Sequence, residues 1–412
     1  MKPEERKTKE MNYEQTLKYL ESLQPRAFRM ELGPLTEACN LMGNPQDSFA
    51  CVHISGTNGK GSTAAFLESI LGRSGYRAGL YTSPHLVDVR ERIQVGRGLI
   101  SEAELSSLAG RIRDGLPDDR MLSFFEFITL ASFLHFADMN VDIAVVETGL
   151  GGRLDATNVV APKVTVITPV SFDHVQHLGR SLRDIAAEKC GIIKRGVPTV
   201  VAYQPPEVME VVRRFCDDVG SPLCLATPDE VKTPLGLPGE HQRQNAACAV
   251  EAAGLLTQAG FKIVSVDEAL AATKWPGRLE TVRDLPRVVL DGAHNAAGAE
   301  ALASYVRATY PRERAVLVLG VLADKDMNSI VRPLAPLFRE IVCVPAPSER
   351  AASPKDLAAA ARSSGATVRT EADLRAALSG AMKALSEEDT LVVSGSLTMV
   401  GGAKEFFERG GS

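Results

Sequence analysis

What this sequence lacks narrows what the chain can do. No apolar run approaches the roughly 18–20 residues needed to cross a membrane as a helix. The opening stretch, Met1 to Glu10, is charged and has no apolar core of the kind a secretory signal needs, so it reads as a frayed tail. Positive charge is not in excess: 46 Lys and Arg against 51 Asp and Glu leave a formal charge of −5, which argues against a general nucleic-acid binder. The seven cysteines, at 39, 51, 190, 216, 224, 248 and 343, are odd in number and form no C-x-x-C pair. Reduced thiols in a cytoplasmic protein are the expectation. Cys51, Cys248 and Cys343 lie in apolar patterns and are read as core.

What remains is a chain of 412 residues, long enough for two or three domains, and 45% hydrophobic and 24% charged, ordinary for a globular protein. Its most informative stretch is His53-Ile54-Ser55-Gly56-Thr57-Asn58-Gly59-Lys60-Gly61-Ser62-Thr63. An apolar run from Phe49 to Ile54 leads in. A helical pattern through Ala64, Leu67, Ile70 and Leu71 leads out. Strand, glycine turn, lysine, hydroxyl pair and helix form the layout of a phosphate-binding loop. Glycines let backbone N–H groups turn inward, and the helix points its positive end at the anion. Lys60 would reach the terminal phosphates, and Ser62 or Thr63 would sit near Mg²⁺. The fit to G-x-x-x-x-G-K-[ST] is imperfect. Ile54 holds the first glycine position, and Gly61 separates Lys60 from Ser62.

Other strand tips are chemically loaded. Ala78 to Tyr81 runs into Ser83-Pro84-His85-Leu86 and the charged Arg90-Glu91-Arg92, which could equally be a solvated loop. Val141 to Glu147 reads as a buried strand ending in a carboxylate beside the phosphate loop, where nucleotide-bound Mg²⁺ takes a protein ligand. The strand Val164 to Thr168 leads to Asp173-His174. Ser101 with Glu104, and Ser181 with Asp184, predict capped helices, the second carrying Lys189. Helices are also expected over Asn12 to Leu23 (ended by Pro25) and Ser123 to Met139, where Phe124, Phe125 and Phe127 read as core. Trp275-Pro276-Gly277-Arg278 is the best boundary. Beyond it strands and helices alternate from Arg287 to Glu408, the pattern of a doubly wound α/β domain. Asp291-Gly292-Ala293-His294-Asn295 and Ser394-Gly395-Ser396 fall at its strand tips, the ligand-binding edge of such sheets.

These separated motifs, taken in order, resemble one family: the folylpolyglutamate synthases and dihydrofolate synthases, relatives of the Mur peptidoglycan ligases. The resemblance rests on Gly56 to Ser62, Ser83-Pro84-His85-Leu86, Glu147-Thr148-Gly149-Leu150-Gly151-Gly152-Arg153-Leu154-Asp155-Ala156-Thr157-Asn158, Asp173-His174, Glu188-Lys189-Cys190-Gly191-Ile192, Pro276-Gly277-Arg278 and Asp291 to Asn295. It implies an α/β fold with a P-loop-type ATPase domain of Mur ligase kind over 1–276 and a smaller Rossmann-like doubly wound domain over 277–412. It also implies an ATP-dependent carboxylate–amine ligase working through an acyl phosphate. Its substrates would be dihydropteroate, reduced folates and L-glutamate, with no nucleic-acid or membrane partner, in a monomer.

By the same resemblance Thr57, Asn58, Gly59, Lys60, Gly61 and Ser62 hold ATP phosphates, and Asn245, Arg278 and Asp291 make further ATP contacts. Ser83, Glu147 and His174 look like ligands of Mg²⁺ in a two-metal arrangement, with K⁺ as a candidate further ion. Lys189 corresponds to a lysine carbamylated in this superfamily, which would make it a metal ligand. Lys60, His174, Lys189 and His294 are the expected catalytic group, His294 lying near the incoming glutamate with Ser396 as a companion. The pterin pocket is expected at Met30, Glu31, Leu32, Gly33, Ser123, Leu154, Asp155 and Ala156. Closing one domain over the other would protect the acyl phosphate from water.

Three rivals are weighed. A Mur-type cell-wall ligase would need an extra N-terminal domain, for which 48 residues before the first strand leave no space. A nucleotide-dependent switch of the GTPase kind would be expected to carry N-K-x-D after a strand, and none is found. A monofunctional folylpolyglutamate synthase differs from the bifunctional enzyme only in substrate range.

Overall fold

The computed structural model describes residues 11–23, 31–117 and 122–411. The tail Met1 to Glu10, the helix stop at Pro25 and the candidate substrate residue Met30 lie outside the described residues. The chain divides into two compact units, the first comprising residues up to Val170, Leu178–Glu230 and Asn245–Leu270.

The first unit is built on strands β1 (Ala50–Ser55), β2 (Ala78–Tyr81), β3 (Ile93–Val95), β4 (Gly98–Leu99), β5 (Ile143–Glu147), β6 (Val164–Ile167), β7 (Thr199–Val201) and β8 (Leu223–Leu225). They stand in the order β4-β3-β2-β5-β1-β6-β7-β8. All pairings from β2 to β8 across this order are parallel. The β3–β4 edge is antiparallel. Every position of β5 and β6 is buried, which explains their unbroken apolar runs. After β1 the chain moves to one side, through β2 and β5, before returning to β6 on the other. The tip of β1 is therefore the switch point where ligands bind in such sheets.

Among the described residues, this part of the chain carries α1 (Tyr13–Ser22), α2 (Gly33–Leu41), α3 (Lys60–Arg73), α4 (Glu102–Gly115), α5 (Phe124–Asp138), α6 (Val175–Leu178), α7 (Leu182–Cys190), α8 (Pro206–Val219), α9 (His241–Gln258) and α10 (Val266–Ala272). The expected capping boxes at Ser101–Glu104 and Ser181–Asp184 are present. Such caps contribute about 1 kcal/mol each. Phe127, Phe133 and Phe136 of α5 are fully buried beside Phe49 and Tyr81, whereas Phe124 and Phe125 at its start are only partly buried. Burying each such ring contributes about 2–3 kcal/mol.

The second unit comprises Ser171–His177, Val231–Gln244 and Ala271–Ser412. Two short segments from before Trp275 thus group with the C-terminal part. Its strands are β9 (Glu280–Asp284), β10 (Arg287–Leu290), β11 (Ala315–Leu319), β12 (Glu340–Cys343), β13 (Thr367–Thr370) and β14 (Thr390–Ser394), with helices α11 (Ala296–Thr309), α12 (Met327–Leu334), α13 (Pro354–Ala361), α14 (Leu374–Ala384) and α15 (Leu397–Glu408). The order β13-β12-β11-β14-β10-β9 is that of a doubly wound sheet with one antiparallel edge strand, β9. None of the seven cysteines forms a disulfide, and six are buried. No helix among the described residues is long and apolar enough to cross a membrane.

Candidate active site

The loop between β1 and α3 is shaped by two glycines in backbone conformations that side chains resist. Gly56 has φ +149°, and a Cβ there would lie 1.8 Å from Thr168 Oγ1. Gly59 has φ +86°, and its Cβ would lie 2.1 Å from Asn245 Oδ1. The Thr57 and Asn58 N–H groups both donate to the Pro169 carbonyl, at 2.9 and 3.2 Å. That pins the loop and leaves anion binding to the first turn of α3, at Lys60, Gly61 and Ser62, where N–H groups have no acceptor within the helix. Thr63 Oγ1 donates to the Asn245 carbonyl at 3.3 Å. The side chain of Asn245 is thus packed under the loop.

Beside the loop, the end of β5 presents Glu147, in register with Ile54 of β1. Lys60 Nζ lies 3.9 Å from Glu147 Oε1, and the Ser83 N–H donates to Glu147 Oε2 at 3.3 Å. Ser83 Oγ is buried with no hydrogen-bond partner. An orphaned hydroxyl next to a carboxylate is a costly arrangement for the protein alone. The two hard oxygen donors suit Mg²⁺, so the residues present fit the ion. Lys189, in the last turn of α7, is 4% exposed, and its Nζ donates to the Gly56 carbonyl at 2.7 Å. Ser83, Glu147, Lys189, Asn245 and the loop are therefore neighbours at one sheet edge.

His174, Arg278, Asp291, His294 and Ser396 belong to the second unit. Asp291, at the tip of β10, accepts from the Leu279 N–H on Oδ2 and the Ala293 N–H on Oδ1, both at 3.0 Å. Burial pushes its carboxyl upward, against the pull of Arg278, His241 and these two N–H groups. Arg278 lies against Gly292, where a Cβ would meet its Nη1 at 2.5 Å. His294 Nδ1 is 2.7 Å from the Gly292 carbonyl, and its Nε2 is 3.4 Å from Asp173 Oδ2. Asp173 also accepts from Asn295 Nδ2 at 3.0 Å, from the His174 N–H at 2.8 Å and from Lys325 Nζ. Burial alone would raise the Asp173 carboxyl. The His294 hydrogen bond and the charges of His174, His294 and Lys325 outweigh it and hold the group well below the usual carboxylate range. His174 itself has φ +50°, unusual for a side-chain-bearing residue. Ser396 is 2% exposed and caps α15, its Oγ accepting from the Met399 N–H at 3.1 Å.

The expected pterin residues lie on elements that pack together: α2, the start of α5, and a short turn at Ala156–Val159. Glu31 is exposed and Leu32 caps α2 just before Gly33. Ser123 Oγ is engaged with Glu126 in a capping box, at 2.6 Å to Oε2. Ala156 is buried and Leu154 half-buried. Asp155 is fully engaged: Oδ2 accepts from the Gly149 and Leu150 N–H groups at 2.9 and 2.8 Å, and Oδ1 from the Thr157 N–H and Oγ1 at 3.0 and 2.5 Å. Four donors fill the lone pairs of the carboxylate. Its visible work is to shape the loop that follows Glu147.

Residues 54–216 match the Mur ligase middle domain, and residues 277–397 the glutamate ligase domain of Mur ligases. The Bacillus subtilis protein named dihydrofolate synthase/folylpolyglutamate synthase is 36% identical over 360 residues, covering 79% of this chain and 83% of its own. The chain belongs to the dihydrofolate synthase/folylpolyglutamate synthase family of Mur ligases. Two solved structures of this family agree in fold. Escherichia coli FolC in complex with DHPP and ADP superposes with a TM-score of 0.88 at 29% identity, covering 98% of this chain and 99% of that one. The bifunctional enzyme of Yersinia pestis complexed with AMPPNP and a Mn ion gives 0.85 at 28% identity, covering 97% and 98%.

Two residues that motif reading passed over lie beside the candidate site residues of this family member. Lys325, in the loop after β11, is one. A lone lysine in a loop carries no pattern, and only the fold sets it on Asp173. His241 is another: it is half-buried, within the field of Asp291 and Arg278, its ring pushed toward neutrality chiefly by desolvation. In the sequence it is merely the first residue of an alanine-rich helix.

Proposed function

We propose that this ligase joins L-glutamate to dihydropteroate and to the γ-carboxylate of reduced folates at the expense of ATP. The observation that carries the reading is the grouping of Lys60, Glu147 and the orphaned Ser83 hydroxyl at the tip of β1. A carboxylate does not react with an amine, because hydroxide is a poor leaving group. Its attack on the γ-phosphate of ATP, with ADP leaving, gives an acyl phosphate. The glutamate amine then attacks that carbonyl and phosphate departs. Catalysis rests on alignment and charge neutralisation.

Each residue has a part that its position supports. The first-turn N–H groups at Lys60, Gly61 and Ser62 hold phosphate oxygens, and the Lys60 ammonium neutralises charge on the transferring group. Thr57 and Asn58 fix the loop through Pro169. Asn245, Arg278 and Asp291 contact the nucleotide. His294 orients glutamate, with Asp173 fixing its ring through Nε2. Ser83, Glu147 and His174 would hold Mg²⁺, which supplies charge stabilisation at the phosphoryl oxygens. Lys189 carries a carbamate, formed from the amine and CO₂ with release of a proton, which turns a buried cation beside Gly56 into an anionic oxygen donor. Glu31, Leu32, Gly33 and the loop at Leu154, Asp155 and Ala156 shape the pterin pocket.

The test is phosphate release by purified protein with ATP, Mg²⁺ and glutamate, given dihydropteroate in one tube and a reduced monoglutamyl folate in another. Release with both is expected. Release with only one reduces the reading to a monofunctional enzyme, and release with neither overturns it.

A further inference from the structure

The loop after β2 carries three charged residues in a row, and the structure gives them three different surroundings. Arg90 is paired, its Nε and Nη2 reaching Asp88 Oδ2 at 2.9 and 2.6 Å, and it lies over the Tyr13 ring at 5.4 Å. Glu91 organises the loop, accepting from the Leu86, Val87 and Asp88 N–H groups at 2.7, 2.9 and 2.8 Å. Arg92 is different. It is 8% exposed. Its Nε donates to His85 Nδ1 at 2.8 Å, and its guanidinium lies over the Phe124 ring at 5.1 Å. The Tyr81 phenol is the next polar group beside it. No carboxylate among the described residues forms an ion pair with it. The two acids whose charge is felt at Arg92 are committed elsewhere: Glu91 to the loop backbone and Glu147 to Ser83 and Lys60.

A buried guanidinium without an anion is expensive, because desolvation is not offset by Coulomb attraction. The ring under it, the imidazole beside it and the Tyr81 hydroxyl that accepts from it hold its plane in one orientation. One phenol oxygen cannot satisfy the four N–H groups of its two terminal nitrogens, which leaves room for a partner from outside. That partner should be planar, anionic and bidentate. Phe124 immediately follows Ser123 at the start of α5, on the elements expected to shape the pterin pocket. Glu147, whose charge is felt at Arg92, belongs to the phosphoryl-transfer side.

We propose that Arg92, steered by His85 and Phe124, is the receptor for the substrate carboxylate that becomes phosphorylated. This rests on the ligase reading above and adds to it the residue that selects an acid. Pairing the carboxylate with a fixed cation also lowers its repulsion from the γ-phosphate it must attack. Dihydropteroate has a single carboxylate, so it reports on this site without interference from a glutamate tail.

The experiment compares binding of dihydropteroate with binding of its carboxamide, by titration calorimetry on the full chain with a non-hydrolysable ATP analogue. Wild type should favour the acid over the amide on the order of 10- to 100-fold, as expected for a charge-assisted pair. In Arg92→Met that preference should collapse toward one, while amide affinity and ATP-analogue affinity stay within about twofold of wild type. If Arg92→Met does not fold, Arg92→Lys, which keeps the charge but not the fork, should lose most of the preference. An undiminished acid preference in the variant overturns the proposal. So does equal loss of acid and amide binding, which would mark a structural role. If wild type itself releases no phosphate with dihydropteroate or a folate, the ligase reading fails. If it does so and only the acid preference survives mutation, Arg92 alone is misassigned.

Discussion

Lys189 Nζ donates to the Gly56 carbonyl at 2.7 Å, tying the end of α7 to the first glycine of the phosphate loop. Lys189 is 4% exposed, so its ammonium sits where an anionic ligand would be of more use to a metal-assisted phosphoryl transfer. If Lys189 works as a carbamate, turnover should fall in buffer stripped of CO₂ and return on adding bicarbonate. Lys189→Ala should be nearly inactive yet partly rescued by short carboxylates such as formate. A Lys189→Ala enzyme with near-normal turnover, or a wild type indifferent to CO₂, would remove the carbamate from the account.

Glu147 should govern metal affinity. Glu147→Gln keeps the size of the side chain but removes the charge facing Ser83 and Lys60. Mn²⁺ affinity in the presence of a non-hydrolysable ATP analogue, read by electron paramagnetic resonance, should drop at least about tenfold. Lys60→Ala, by contrast, should abolish turnover while leaving the thermal midpoint nearly unchanged, since Lys60 contributes little to the core.

Gly59 is held at φ +86° against Asn245. Gly59→Ala should cost about 1–2 kcal/mol from backbone strain, plus a further loss from the contact with Asn245 Oδ1. The two parts can be separated. In an Asn245→Ala background the contact is relieved and the strain remains, so the double variant should be more stable than additivity predicts. Differential scanning calorimetry of the four proteins reads this directly, and strict additivity would show that Asn245 does not crowd the loop.

His53 gives a pH dependence. It is fully buried in β1, with Nε2 2.8 Å from Thr157 Oγ1 and Nδ1 without a partner. Burial, helped by the charge of Lys194, pushes it from 6.5 down to about 3. Above the unfolded value both states are neutral and nothing changes. Below it the unfolded chain takes up a proton that the folded chain refuses, so stability falls as pH drops toward 3, by up to about 1.4 kcal/mol per pH unit. Urea melts of wild type and His53→Gln between pH 4 and 7 should show this slope in the first and its loss in the second.

Much of the site was legible because phosphate loops and strand tips are local. Gly56 to Ser62, Glu147 and the capping residues Ser101 and Ser181 advertise themselves by spacing. The strands that escaped notice were the edge strands β4, β8 and β9 and the short β3 beside β4, none longer than five residues; β9 reads Glu-Thr-Val-Arg-Asp. Long-range pairings escaped as well. Nothing in the chain near Lys325 announces Asp173, and nothing in Arg90-Glu91-Arg92 tells which arginine is paired. The engagement of Asp155 by four donors, and of Ser123 and Ser396 by helix caps, likewise follows from folded geometry.

The claim on which everything else depends is that the substrate carboxylate attacks ATP before the glutamate amine attacks the carboxyl carbon. Dihydropteroate labelled with ¹⁸O in its carboxylate tests it in a single turnover experiment with ATP, Mg²⁺ and glutamate. An acyl phosphate requires one labelled oxygen to leave with the inorganic phosphate and the other to remain in the amide. Phosphate released without label, from an enzyme that nevertheless forms the amide, would contradict the account.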